Sequence, residues 1–271
     1  MYIWRKHVTS DWLREHSEAL LARYGGALAI VERPGKRALV EVASRTRRET
    51  TDLRREFGGK IEKLQAGWFR HWTKQAPSKP LRIGSRLLVT RTRAPNAIAI
   101  PAEAAFGTGD HATTAMCLRM LERVTRAVPP GWSMLDAGTG SGILAIAGSR
   151  FGAARVVAIE NDPLACSIAQ RNARANRAPN IEFRIGDVLK QKPAGKFDII
   201  TANLFSEILI AALPIWLPRL APDGWLILSG VLRSQERSLV TALRRTGCGV
   251  AEIKRRGKWI AVLASRARKR S

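Results

Sequence analysis

From Trp132 onward the chain alternates apolar strand-like runs with helical ones, and that alternation restricts it to an open, doubly wound α/β sheet. WSMLDA, RVVAIE, IEFRIG, FDIITAN and WLILSG read as strands. The segments from Ile143 to Phe151, Pro163 to Asn176, Ser206 to Leu220 and Ser234 to Thr246 read as the helices between them. CGVAEIK and KWIAVLA then follow in quick succession, so an antiparallel hairpin is expected to close the sheet at its edge. The predicted class is α/β, a seven-stranded Rossmann-like sheet.

Ahead of it, residues 1–66 read as strand, helix, strand, strand, helix, strand. This is the order of a small α+β ferredoxin-like domain. Thr9 or Ser10 is placed to cap the first helix, and Arg33-Pro34-Gly35-Lys36 to turn the hairpin between the second and third strands. Residues 67–100, with prolines 77, 80 and 95, read as a linker. Within it Trp68 and Trp72 stand one helical turn apart, a spacing that suits packing of one domain on the other better than stacking on bases. The large domain is expected over residues 101–265, and residues 266–271 form a basic tail.

Three cysteines, 117, 166 and 248, lie far apart without Cys-x-x-Cys spacing, which points to plain reduced thiols and no metal site. No apolar run reaches the roughly 18 residues of a membrane span, and the opening MYIWRKHVTSDW lacks the apolar centre of a signal peptide. The expected compartment is the cytoplasm. The net charge of +24 is the compositional anomaly. Residues 1–85 carry 18 basic and 9 acidic groups, residues 101–253 carry 17 and 13, and residues 254–271 carry 8 and none. The excess therefore sits mostly outside the central domain, where it favours acidic partners such as RNA or a ribosomal surface. A generally arginine-rich proteome accounts for it equally well.

The chemistry concentrates where strands end. In MLDAGTGSGILAIAG, Asp136 ends the first strand of the sheet, and Gly138, Gly140 and Gly142 turn into a helix, letting backbone approach a ligand closely. The spacing is Gly-x-Gly-x-Gly, not the Gly-x-Gly-x-x-Gly of dinucleotide sites, and an acid stands two residues ahead. S-adenosyl-L-methionine has no pyrophosphate but carries an ammonium and a sulfonium, which a nearby carboxylate favours. The closing hairpin also separates methyltransferases from dehydrogenases. Glu160 ends the second strand, placed to accept both ribose hydroxyls. Asp162 before Pro163 reads as a helix cap. Asp187, in IGDV, is either an adenine contact or a solvated turn residue. Asn203 ends the fourth strand beside the topological switch point, where its carboxamide can hold cofactor or orient an attacking amine. Leu204 to Glu207 lack the two prolines of the Asn-Pro-Pro-Tyr/Phe signature of nucleic-acid amino methyltransferases, which counts against a base as substrate. AFGTGDHATTAMCLRMLE supplies a flexible turn, Gly107-Thr108-Gly109, then Asp110, His111, Thr113 and Thr114 leading into a helix whose first-turn amides can meet a cofactor carboxylate.

AFGTGDHATT, LDAGTGSGILAIA, ANLFSE and SGVLRSQ with a closing strand, in that order, resemble the PrmA family of methyltransferases that modify a large-subunit ribosomal protein. The resemblance is strong over about 100–265 and moderate before it. It implies cofactor contacts at Thr114, Gly138, Glu160 and Asn203, with Thr108, Asp136, Gly140 and Asp187 as further members of the cofactor site. It implies a lysine or N-terminal amine of a ribosomal protein as acceptor, Asn203 as the group that orients it, and His111 as proton relay or as cap of its own helix. Glu160 stands where aspartate is usual, and the N-terminal domain is unusually arginine-rich, which bears on the substrate. The chain is expected to act as a monomer. Two alternatives remain open: an RNA methyltransferase, suggested by the basic ends and by Arg86, Arg91 and Arg93, and an inactive RNA-bound assembly factor.

Overall fold

The computed structural model describes residues 2–24, 28–31, 37–44, 46–63, 80–101 and 111–266. The chain divides into two compact units, Met1–Ala76 and Pro77–Ser271.

The first unit runs β1 (Tyr2–Val8), α1 (Ser10–Tyr24), β2 (Leu28–Val31), β3 (Ala38–Ser44), α2 (Arg47–Phe57) and β4 (Lys60–Lys63). Its four strands lie in the order β2-β3-β1-β4, every pair antiparallel, which is the ferredoxin-like arrangement. Alternation decides the faces. Ala38, Val40 and Val42 of β3 and Trp4 and Val8 of β1 are buried with Leu20 and Leu53 from the two helices. On the other face, by the same alternation, Arg5 lies between Glu41 and Glu62 at 2.5 Å from each. Thr9 is the residue that caps α1, taking the amide of Trp12 on its hydroxyl. The turn at Arg33–Lys36 and the tryptophans 68 and 72 lie outside the described residues.

The second unit opens with three short strands, β5 (Leu81–Ile83), β6 (Leu87–Thr90) and β7 (Ala97–Ala99), in a sheet of their own. These residues fall in the stretch expected as linker. Their apolar side chains Ile83, Leu87, Val89 and Ile98 share a core with α3 (Ala112–Val124) and α4 (Ile143–Arg150), so residues 80–100 are folded onto this unit. Asn176 fastens them: its carboxamide accepts the Ala99 amide at 2.8 Å and donates to the Ala99 carbonyl at 2.9 Å.

The large sheet is built from β8 (Ser133–Ala137), β9 (Arg155–Glu160), β10 (Ile181–Ile185), β11 (Phe197–Asn203), β12 (Leu220–Leu232), β13 (Cys248–Arg256) and β14 (Trp259–Arg266). These seven strands lie in the order β10-β9-β8-β11-β12-β14-β13. The first five are parallel; β14 runs antiparallel to both β12 and β13, so the expected hairpin is present with its last strand tucked inside the edge. The central strands read as unbroken apolar runs because both faces are covered. Met134, Val156, Ile199 and Ile227 point to the α3/α4 side. Leu135, Val157, Ile200 and Leu226 point to the side of α6 (Ser206–Trp216) and α7 (Glu236–Arg245). The helix α5 (Pro163–Ala175) starts as expected, with Asp162 accepting the Leu164 amide at 2.9 Å and Pro163 following the cap. Among the described residues no helix is long and apolar enough to cross a membrane.

Candidate functional site

The strand order steps from β8 outward in both directions, so the C-terminal ends of β8, β9 and β11 border a crevice. Each contributes a polar group there. At the end of β8, Gly138, Gly140 and Gly142 all have left-handed backbone, with φ of 75°, 55° and 83°. Gly138 has a second reason to be glycine: a Cβ there would stand 2.5 Å from Leu204 Cδ2. The amides of Gly138 and Thr139 donate to the Ile159 carbonyl at 2.9 and 3.0 Å, pressing the turn against the end of β9.

Glu160 completes that contact. One carboxylate oxygen accepts the Gly140 amide at 2.9 Å; the other accepts the amides of Asn161 and Asp162 at 3.0 and 3.2 Å. An acid at this position is thus held in one rotamer by three backbone donors and fixes the glycine turn. Asp136 lies deeper, 1% exposed. Its two oxygens accept the hydroxyls of Thr139 and Thr201, each at 2.6 Å, tying the turn to β11. Burial pushes its carboxyl up to about 6, against the pull of those hydroxyl bonds.

Asn203 ends β11. Its carboxamide nitrogen lies 3.4 Å from the hydroxyl of Thr114 on α3, and its buried Oδ1 meets no hydrogen-bond partner among the described residues. Buried carboxamide oxygens are normally satisfied, and leaving one unmade costs about 1–3 kcal/mol. Such an atom at a strand end in the crevice is a receptor for a donor. Gly230 explains how β11 is followed so tightly by its loop: with φ of 88°, a Cβ there would lie 2.4 Å from the Leu204 carbonyl oxygen. His111 is the N-cap of α3, with Nδ1 2.7 Å from the Thr113 hydroxyl and its ring edge-on to Trp259 at 5.1 Å. Burial, assisted by Lys258, lowers its pKa, so the ring is neutral at pH 7. Asp187 takes the Leu189 amide on its side chain at 2.9 Å and closes the turn after β10. Thr108 lies outside the described residues, as do Gly107, Gly109 and Asp110.

The turn, Asp136, Glu160, Asn203 and Thr114 therefore converge, while His111 serves as a cap beside them. Two residues escape sequence reasoning: Leu164, 44% exposed, and Ile185, 57% exposed, the two large apolar side chains most open to solvent among the described residues. Ile185 pairs in register with Glu160, and Leu164 hangs on the Asp162 cap. Exposed apolar surface on either flank of a fixed carboxylate suits a flat heterocycle joined to a diol. The available signal was positional: an isoleucine closing an edge strand and a leucine in a first helical turn, both where the sheet end should be polar.

A seven-stranded sheet with a reversed last strand inside its edge, carrying a glycine turn fixed by the acid of the second strand, defines the methyltransferase class of α/β proteins. The chain belongs to the family described as ribosomal protein L11 methyltransferase (PrmA), whose model matches residues 32–267. It is 40% identical over 205 residues to the ribosomal protein L11 methyltransferase of Pelotomaculum thermopropionicum, covering 73% of this chain and 65% of that protein. With the enzyme of the same name from Heliobacterium modesticaldum it shares 36% over 208 residues, covering 74% of this chain and 64% of that one. The chain thus spans less than two thirds of the length of these curated relatives. The crystal structure of ribosomal protein L11 methylase from Lactobacillus delbrueckii subsp. bulgaricus superposes with a TM-score of 0.63 at 30% identity, covering 70% of this chain and 99% of that one.

Proposed function

We propose that this chain transfers the methyl group of S-adenosyl-L-methionine to an amine of ribosomal protein L11, a lysine side chain or the N-terminus. The observation that carries the reading is the unpartnered Oδ1 of Asn203 at the crevice, across from a glycine turn already fixed by Glu160. The residues present fit the cofactor. Glu160 would take the ribose hydroxyls on the lone pairs that its three backbone donors leave open. Leu164 and Ile185 would flank the adenine, with Asp187 at its edge, and the first turn of α3 with Thr114 and Thr108 would meet the amino-acid end. Asp136 acts from behind, holding the turn. When bound, S-adenosyl-L-methionine supplies an electrophilic methyl on a sulfonium.

The chain's own task is to deliver a neutral amine in line with that methyl. A lysine of ordinary pKa, about 10.4, gives up its proton at pH 7 at a cost of about 4–5 kcal/mol. An apolar mouth and an adjacent positive charge lower that pKa, so positioning carries most of the rate. Asn203 Oδ1 would accept one amine N–H and aim the lone pair. His111, neutral at pH 7, would be able to take up the released proton, although its cap bond to Thr113 gives it a structural task as well.

The test is incubation of the chain with methyl-labelled cofactor and undermethylated ribosomal particles or free L11. Label in L11 is the expected result; label in RNA, or none, overturns the reading. Asn203→Ala should lower turnover while cofactor affinity falls less. Full turnover in that variant would remove Asn203 from the orienting role.

A further inference from the structure

We infer that the flank of the second unit formed by the C-terminal end of α5 and the β6–β7 turn is a docking surface for the sugar-phosphate backbone of structured RNA, built by Arg93, Arg174 and Arg177. This surface is separate from the basic tail and from the crevice, and it goes beyond the proposed methyl transfer.

Two sequence-distant stretches meet there, and neither contains an acid. Residues 80–101 carry Arg82, Arg86, Arg91 and Arg93 and no aspartate or glutamate; residues 163–181 carry Arg171, Arg174 and Arg177 and likewise none. They are joined by the Asn176 clamp on Ala99 and by Arg93, whose guanidinium donates to the Ala175 carbonyl at 3.3 Å. Arg174 and Arg177 are both exposed and stand three residues apart at the helix end, so their backbones lie within about 5 Å of one another along the axis. The acid that follows in sequence, Glu182, is already occupied by Arg155 and Arg184. Arg93, Arg174 and Arg177 therefore add their charges on one flank with no acid of their own stretches to offset them.

Arg177 adds a second, independent observation. The Arg177 amide donates to the Arg174 carbonyl at 3.1 Å and the Ala178 amide to the Ala173 carbonyl at 3.0 Å, the bond pair of a Schellman helix end. Arg177 occupies its left-handed position, with φ of 54°. Glycine is the residue that position favours, because a side chain there crowds its own backbone. An arginine placed against that preference, beside two further arginines, is what a ligand-facing position looks like.

RNA fits better than the other anionic partners. Guanidinium forks match phosphate oxygens two at a time. An acidic protein partner would need an apolar centre to its interface, and a membrane surface an apolar anchor. The large exposed apolar side chains Leu164 and Ile185 lie at the opposite, crevice end of α5 and the sheet. A surface of arginines without aromatic neighbours reads backbone and shape, not bases.

The experiment measures binding of the full chain to an RNA duplex of about 16 base pairs over a range of salt. Replacing Arg93, Arg174 and Arg177 by glutamine should reduce the slope of log affinity against log salt by about 2. Replacing three exposed arginines elsewhere, Arg237, Arg244 and Arg245 of α7, makes the same charge change as a control and should leave most of the slope. Equal losses in the two triple variants would mean general attraction to a basic protein and would overturn the surface. Competition by polyglutamate as effective as by RNA at equal charge would overturn it in favour of an acidic protein. Arg177→Gly separates docking from structure: melting temperature should hold or rise while RNA affinity drops about threefold to tenfold. A drop in melting temperature with unchanged RNA affinity would make Arg177 a structural residue only.

Discussion

Asp136 lets the electrostatics of the glycine turn be tested without any ligand. Its carboxyl titrates near 6 in the folded chain, raised chiefly by burial, against about 3.9 when unfolded. Between those values the folded chain holds a proton that the unfolded chain has already lost. Stability therefore falls as pH rises from about 4 to about 6 and levels off above, the reverse of an ordinary ion-paired carboxylate. Across that interval of about 2 pH units, at about 1.36 kcal/mol for each, the swing comes to about 3 kcal/mol. Asp136→Asn removes the titration while keeping the shape, though its amide must reorient one of the Thr139 and Thr201 hydroxyls, at a cost of about 1 kcal/mol. The wild type carries other titrating groups, including Glu182 and Glu236, whose lowered pKa values tilt the curve the other way. The difference between the two proteins cancels them. Urea unfolding of both, at several pH values between about 4 and about 7.5, should show Asp136→Asn gaining about 3 kcal/mol on the wild type as pH rises. Parallel curves would mean that Asp136 is ionised throughout, and that the turn is held by a charge and not by a neutral, hydroxyl-bonded acid.

Three further outcomes follow from the crevice. Asn203→Ala removes a buried acceptor without a partner, so unfolding free energy should stay level or rise by up to about 1 kcal/mol while methyl transfer is lost, measured on one preparation by denaturation and label incorporation. Gly138→Ala puts a Cβ at left-handed backbone and against Leu204; stability should drop by about 1–3 kcal/mol, and Leu204→Ala in the same chain should recover part of it. Glu160→Gln weakens charge-assisted bonds to Gly140, Asn161 and Asp162, and titration calorimetry with S-adenosylhomocysteine should register a loss of about 10-fold to 100-fold in affinity.

The large sheet was legible in sequence because strands buried on both faces read as unbroken apolar runs and each helix between them carries its own start signal, Asp162-Pro163 being the plainest. The first unit was legible from alternation alone, as Ala38, Val40 and Val42 demonstrate. Residues 80–100 were not. Three strands of three or four residues fall below the length at which a period can be counted, and the prolines that flank them look like connector; what makes them part of the unit is Asn176, some 77 residues away from the backbone it clamps. Burial of Asp136 behind the turn was equally invisible, since an acid two residues before a glycine reads the same whether its carboxylate faces ligand or core.

Glu160 shows why residue type alone underdetermines a site. An acid closing the second strand suggests a ribose acceptor, and the same carboxylate is here the anchor of the turn that any ligand would have to meet. The two tasks are compatible because a carboxylate offers about four lone-pair sites and three amides occupy three of them. They are also linked. The amides hold the carboxylate in place before a ligand arrives, so little conformational entropy is left to lose on binding. Glutamate at this position, one methylene longer than aspartate, reaches across from β9 to the Gly140 amide, and shortening it should break that reach. Glu160→Asp is therefore expected to keep the charge and lose the turn, with hydrogen exchange at Gly140 accelerating before cofactor affinity is considered at all. Unchanged protection of the Gly140 amide in Glu160→Asp would show that the contacts of Gly138 and Thr139 with the Ile159 carbonyl are sufficient to hold the turn.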